Sequence, residues 1–127
     1  MVTVSHVVTL RGPGIRKEPA YLSISTDLIN EVADAALNNN AFLVGQIHSH
    51  GEGYGVNLSD TDKRHGFSVP GYLSAVAPDY AMRPNTRIGD CGFHLYQEGK
   101  WHRLSTMEVW SRIQLVDEPT RIIQVVG

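Results

Sequence analysis

The sequence predicts an α/β domain built on a single mixed β-sheet, with one main helix and short additional helices. Three observations carry this expectation. An apolar stripe at helical spacing runs from Leu28 to Ala36, an apolar run spans Ala41 to Ile47, and two β-rich segments flank Glu98-Gly99 in a hairpin pattern. The predicted order is β-β-α-β, a short helix, three further strands, a helix and a last strand.

Val2 to Leu10 is β-rich and is read as the first strand, ended by Arg11-Gly12-Pro13-Gly14. Lys17-Glu18-Pro19 continues that loop, and Ala20 to Ser25 is a second short strand. Ser25-Thr26-Asp27 supplies an N-cap for the main helix, from Asp27 to about Asn39. Leu28, Ile29, Val32, Ala35 and Ala36, with Ala33 beside them, form its apolar stripe. Asn38-Asn39-Asn40 ends it, since asparagine tolerates the left-handed conformation that closes a helix. Ala41 to Ile47 then reads as a buried strand. Ser59 to Asp62 opens a short helix from Asp60 to His65, closed by Gly66.

Tyr72 to Ala77 is the next strand, stopped by Pro78, and residues 79–90 are polar turn formers. In the hairpin, a two-residue turn sets Tyr96 against Trp101, His94 against Arg103 and Phe93 against Leu104. His94 and His102 are then expected on the strand surface. Ser105 and Glu108 make a capping box for a helix through Arg112, anchored by Val109 and Trp110. Pro119 breaks the tail, and Arg121 to Val126 is a last strand that must pair with the sheet or with another subunit, which would make a homodimer.

The whole chain sets bounds on function. At 127 residues it is one domain, 1–127, with no internal repeat or linker. No run of about 18 apolar residues crosses a membrane, and Met1 to His6 lacks the basic flank and cleavage site of a signal peptide. A formal net charge of −2 argues against nucleic acid, whose binders carry a basic face. The single cysteine, Cys91, excludes an internal disulfide, fits a cytoplasmic location and reads as a small buried residue.

Chemistry concentrates in residues 48–62. His48 and His50 lie two positions apart at the end of the apolar run, so along a strand both point to one face and Ser49 to the other. A loop with glycines at 51, 53 and 55 follows, and then Ser59-Asp60-Thr61-Asp62. Two histidines on one face with a nearby carboxylate form the donor set of an open zinc site. The same residues also have a purely structural reading, in which Ser59 caps a helix and the acidic first turn suits its dipole.

At these residues the chain resembles the JAMM/MPN (JAB-domain) metalloproteases, particularly their short bacterial members. The family pattern is His-x-His-Pro, about seven residues, then Ser-x-x-Asp. Here it stands as His48-Ser49-His50-Gly51, residues 51–58 as the spacer, then Ser59-Asp60-Thr61-Asp62. The preceding Val44-Gly45-Gln46-Ile47, the helix before it, the Tyr72–Pro78 strand and the Gly92–Leu104 hairpin are also similar. The resemblance covers roughly residues 2–104, and residues 105–127 look like an added helix and strand. It implies MPN/JAB-like layering, of the cytidine-deaminase-like kind. It also implies that His48, His50 and Asp62 bind Zn2+, with water in the fourth position and Ser59 helping to stabilise an oxyanion. The implied activity is cleavage of a peptide or isopeptide bond, in the family often at the C-terminus of a ubiquitin-like protein.

Two departures bear on that activity. Gly51 replaces the family's proline, and the spacer is one residue longer. The family's general base is a glutamate on a strand ahead of the main helix, whereas before Asp27 this chain has only Glu18, in a loop-like Arg-Lys-Glu-Pro setting. The resemblance thus implies a chain beginning after the glutamate strand, with Glu18 as a displaced base and Glu52 as the other candidate. Without a base, the expectation becomes a zinc-binding but catalytically impaired interaction module. A third expectation is a zinc hydrolase of small amides.

Overall fold

The fold is that of a computed structural model, which describes residues 3–11, 15–18, 21–65, 69–82, 84–115 and 119–126. Among the described residues, eight strands and three α-helices make up a small α/β protein. The strands are β1 (His6–Arg11), β2 (Ile15–Glu18), β3 (Tyr21–Ile24), β4 (Gly45–Ser49), β5 (Leu73–Ala77), β6 (Gly92–Gln97), β7 (Lys100–Arg103) and β8 (Arg121–Val126). The helices are α1 (Thr26–Asn38), α2 (Asp60–His65) and α3 (Thr106–Arg112). Among the described residues no helix is long and apolar enough to cross a membrane.

Among the described residues, the single sheet expected from sequence is divided into three. A four-stranded mixed sheet has the order β4-β5-β6-β7, while β1 pairs with β8 and β2 with β3 separately. The reason is topological. β1 and β8 pair in parallel, His6 opposite Arg121 through Arg11 opposite Val126, so the chain's two ends are consumed by each other rather than by the central sheet. Arg121 to Val126 therefore finds its partner within the chain. The expected loop through Lys17 and Glu18 is also corrected. Residues 15–18 form a hairpin strand whose register sets the β-branched Ile15 against Ile24 and Glu18 against Tyr21.

Helix α1 follows its sequence signals. Ser25 Oγ accepts the Leu28 amide at 3.2 Å, and Leu28 and Val32 are buried. Asn40 adopts the left-handed conformation, φ 52°, just past the helix end. The stripe omits Ala33, which faces out, because the helix turns by about 100° per residue.

The central sheet separates two environments. On one face, Ala75 and Phe93 pack with Leu104 and with Val109 from α3, and Leu73, Ile88, Cys91, Leu95 and Ile113 surround them. The hairpin pairs Tyr96 with Trp101 and His94 with Arg103, as expected, through a turn at Glu98 (φ 55°) and Gly99 (φ 80°). α3 has its full capping box: Ser105 Oγ accepts the Glu108 amide and Glu108 Oε1 accepts the Ser105 amide. Val109 is its anchor, but Trp110, expected to share that role, is exposed, since adjacent helical positions point in different directions.

The opposite face carries Gln46, His48, Ser74, Val76 and His94 at neighbouring register positions. Here the expectation that His94 lies on the surface is overturned: it is buried, with 4% exposure. Residues after β4 return over this face. A Cβ on Gly92 would run into the Val56 carbonyl, and Arg103 Nη1 donates to Asn57 Oδ1. Cover supplied from a distant part of the chain turned a pattern of surface alternation into a buried polar layer.

Candidate metal centre

The buried strand expected over Ala41–Ile47 is shorter and shifted, Gly45–Ser49, and lies at the sheet's edge with Ile47 exposed. Even so, it delivers both imidazoles to one face. His48 is within β4 and His50 immediately follows it, held by its amide to the Ala77 carbonyl at 3.0 Å. The His50 carbonyl in turn accepts the Tyr80 amide at 2.8 Å. Tyr80 sits in a left-handed turn, with φ of 52°, 57° and 58° at Asp79, Tyr80 and Ala81. Consecutive left-handed non-glycine residues cost roughly 1–2 kcal/mol each. That strain is stored directly behind His50.

Ser59 and Asp62 satisfy both readings of the Ser-x-x-Asp motif at once. Ser59 Oγ accepts the Asp62 amide at 3.0 Å, and Asp62 Oδ2 accepts the Ser59 amide at 3.0 Å, a reciprocal cap on α2. The same cap turns the Asp62 carboxylate onto the imidazoles. His48 Nε2 lies 3.3 Å from His50 Nε2 and 3.2 Å from Asp62 Oδ2, and His50 Nε2 lies 3.0 Å from that oxygen. The His48, His50 and Asp62 side chains are 7%, 2% and 0% exposed. These three residues form a cluster that can hold a metal ion.

Hydrogen-bond chemistry says why a cation suits the cluster. His50 Nδ1 lies 3.1 Å from the Gly55 carbonyl, which can only accept, so the proton of the neutral ring is on Nδ1 and the Nε2 lone pair faces Asp62. In that neutral form a lone pair confronts a carboxylate oxygen at 3.0 Å inside the protein. A proton on His48 Nε2 relieves one edge of the triangle at a time, whereas a cation at its centre satisfies all three donors. The edges also fit: donors about 2.0–2.1 Å from a tetrahedral ion lie about 3.3 Å from one another. His48 is held differently from His50, because its Nδ1 is buried with no hydrogen-bond partner among the described residues.

The surrounding layer is polar and buried. Tyr72 OH donates to Gln46 Oε1 across 3.5 Å, and burial pushes the Tyr72 phenol above its usual range. His94 Nδ1 donates to the Ser74 carbonyl at 3.0 Å, while His94 Nε2 and Ser74 Oγ are buried without partners among the described residues. Burial pulls the His94 pKa below its ordinary value; the Ser74 bond opposes this, and electrostatic repulsion, first from Arg103 and then from His48 and Lys63, adds to it. Cys91 stands apart from this face, against the apolar core, and burial with the Asp90 charge raises its thiol pKa, the opposite of an activated nucleophile.

Two expected base candidates remain to be placed. Glu52 is exposed on the loop after His50. Glu18 ends β2, and its side chain lies outside the described residues; its hairpin partner β3 packs against α2, the helix bearing Asp62. Sequence reasoning missed His94 and Ser74, whose only signal was their even spacing with His48 on paired strands. Compared with protein-family models, curated proteins and solved structures, the chain matches none.

Proposed function

We propose that this chain is a zinc-dependent hydrolase that cleaves a peptide or isopeptide bond, in the manner of the JAMM/MPN proteins that its His-x-His and Ser-x-x-Asp segments resemble. The observation carrying the proposal is the convergence of His48 Nε2, His50 Nε2 and Asp62 Oδ2 within 3.3 Å of one another in a buried setting. Two imidazoles and a carboxylate suit zinc, and three protein donors leave a fourth coordination position, the composition of catalytic rather than structural sites. A zinc ion held there supplies Lewis acidity, acidifying water and polarising a carbonyl.

The chain's own residues supply the remaining parts. Gly55 fixes the His50 tautomer, and the cap from Ser59 fixes the carboxylate. The Ser59 hydroxyl oxygen is occupied as an acceptor, which leaves its hydrogen to donate to a developing oxyanion. Glu18 is the proposed general base; what supports this is that β3, the hairpin partner of its strand, packs against α2. The substrate proposed is a peptide tail or the C-terminus of a ubiquitin-like protein.

A second reading, a zinc-binding but catalytically impaired interaction module, is favoured by one observation. Among the described residues, Asp62 alone brings a carboxylate to the cluster. One experiment separates the two. Protein loaded with zinc is assayed on a ubiquitin-like fusion and on a fluorogenic C-terminal amide, with chelator, His50→Ala and Glu18→Gln controls. The hydrolase reading expects turnover that chelator and both variants abolish. Zinc bound at one equivalent without turnover leaves the impaired module, and metal content unchanged by His48→Ala removes the zinc assignment altogether.

A further inference from the structure

Among the described residues, the strand that leads to the two histidines has one edge without a strand partner. β4 pairs with β5 alone, and among the described residues no strand lies along its other edge. The Val44 carbonyl accepts the Leu73 amide, and the His50 amide donates to the Ala77 carbonyl. In a parallel ladder alternate residues turn their N–H and C=O groups to the same neighbour. Even-numbered residues therefore face β5, and the amides and carbonyls of Gly45, Ile47 and Ser49 face outward.

Edge strands normally carry protection, in the form of charges, proline or a covering element. This one carries none of the sequence devices: from Ala35 to Gly51 there is no Asp, Glu, Lys, Arg or Pro. The apolar core layer stops one strand short. Ala75 is buried, while its register partner Ile47 is 66% exposed, and Phe42 just upstream is 71% exposed. An uncharged strand whose outward backbone groups have no partner among the described residues, with an exposed β-branched side chain, is a template for strand addition. Its position gives that addition a purpose. Ser49, whose backbone faces outward, sits between the two imidazole donors, so a chain paired there runs one strand spacing, about 4.8 Å, from the residues that hold the cluster.

We propose that β4 is the substrate-docking edge: an extended, uncharged polypeptide tail pairs with the outward groups of Ile47 and Ser49 as an additional strand. This rests on the hydrolase reading for its purpose, but binding at the edge is measurable without metal or turnover. The occupant is an extended peptide rather than a second copy of the chain, because a copy paired edge to edge would occupy the groups that lead to the donor cluster.

The test uses metal-free full-length protein and a fluorescent peptide of alternating valine and threonine with lysine at each end. Binding is read by anisotropy, and protection by amide hydrogen exchange. The peptide is expected to bind and to slow exchange of the Ile47 and Ser49 amides by about tenfold or more, with even-numbered amides of β4 unchanged. The same peptide N-methylated on alternate residues, on the set that faces β4, should fail to bind. Ile47→Pro removes an amide that faces outward, which an edge strand tolerates, and should weaken binding by about tenfold or more while zinc titration shows the donor cluster intact. Absence of binding, or binding without protection of Ile47 and Ser49, overturns the proposal. So does protection that grows with protein concentration in the absence of peptide, which would assign the edge to self-association. Failure of zinc binding alone would instead strike the hydrolase reading.

Discussion

His50 Nδ1 donates to the Gly55 carbonyl at 3.1 Å, and that bond decides which ring nitrogen faces Asp62. A backbone carbonyl five residues along the chain thus selects the tautomer that a metal donor needs. Gly55 takes φ 71°, which only glycine adopts without strain. Gly55→Ala is expected to destabilise the fold by about 1–2 kcal/mol in urea unfolding and to weaken zinc binding by roughly 10–100-fold by competition with a chromogenic chelator. Unchanged zinc affinity would show that the His50 ring is oriented by something else.

Gly92 is where the loop after His50 meets the central sheet. A Cβ there would run into the Val56 carbonyl and lie 3.1 Å from the His94 ring. Backbone cannot yield as a side-chain tip can, so Gly92→Ala should cost about 1–3 kcal/mol, read from the urea midpoint. Zinc affinity should fall in the same variant, because the displaced loop carries Gly55.

His94 gives the metal-free protein a defined acid sensitivity. Its folded-state pKa is lowered, chiefly by burial, so the unfolded chain binds the proton more readily. Stability is therefore unaffected by this group well above its unfolded pKa of about 6.5 and declines as pH falls below it. His94→Gln, which retains an amide donor for the Ser74 carbonyl, should flatten the decline in stability between about pH 7 and pH 5. Parallel curves for the two proteins would exclude His94 as its source.

The left-handed turn behind His50 offers the reverse experiment, a stabilising change. Ala81 is exposed and holds φ 58°. Ala81→Gly removes the Cβ clash there and should raise stability by up to about 1 kcal/mol. If stability falls instead, the turn is not strained at this residue.

Much of the candidate site was legible in the chain because its signals are local. The Ser59–Asp62 and Ser105–Glu108 caps, the Glu98-Gly99 turn with its Tyr96–Trp101 pairing and the α1 stripe each depend on groups a few residues apart. His48 and His50 share a face for the same reason, two positions along one strand. Such features form wherever the backbone takes its local conformation, and whatever packs around them leaves them unchanged.

Burial and partnership are different in kind, since they depend on which distant segment arrives. Only the tertiary structure decided that β1 would pair with β8 from the far end of the chain, or that residues 56–57 would cover His94 while Ile47 stayed open. Trp110 illustrates the same limit: its type suggests an anchor, yet Val109 is the residue that α3 buries in the core and Trp110 is exposed. By itself the sequence determined which residues carry donor chemistry and how each is presented locally. Bringing His48, His50 and Asp62 to within 3.3 Å, and leaving one edge of β4 without a strand partner among the described residues, required the folded chain, because a side chain's neighbours are set by packing and not by its own backbone.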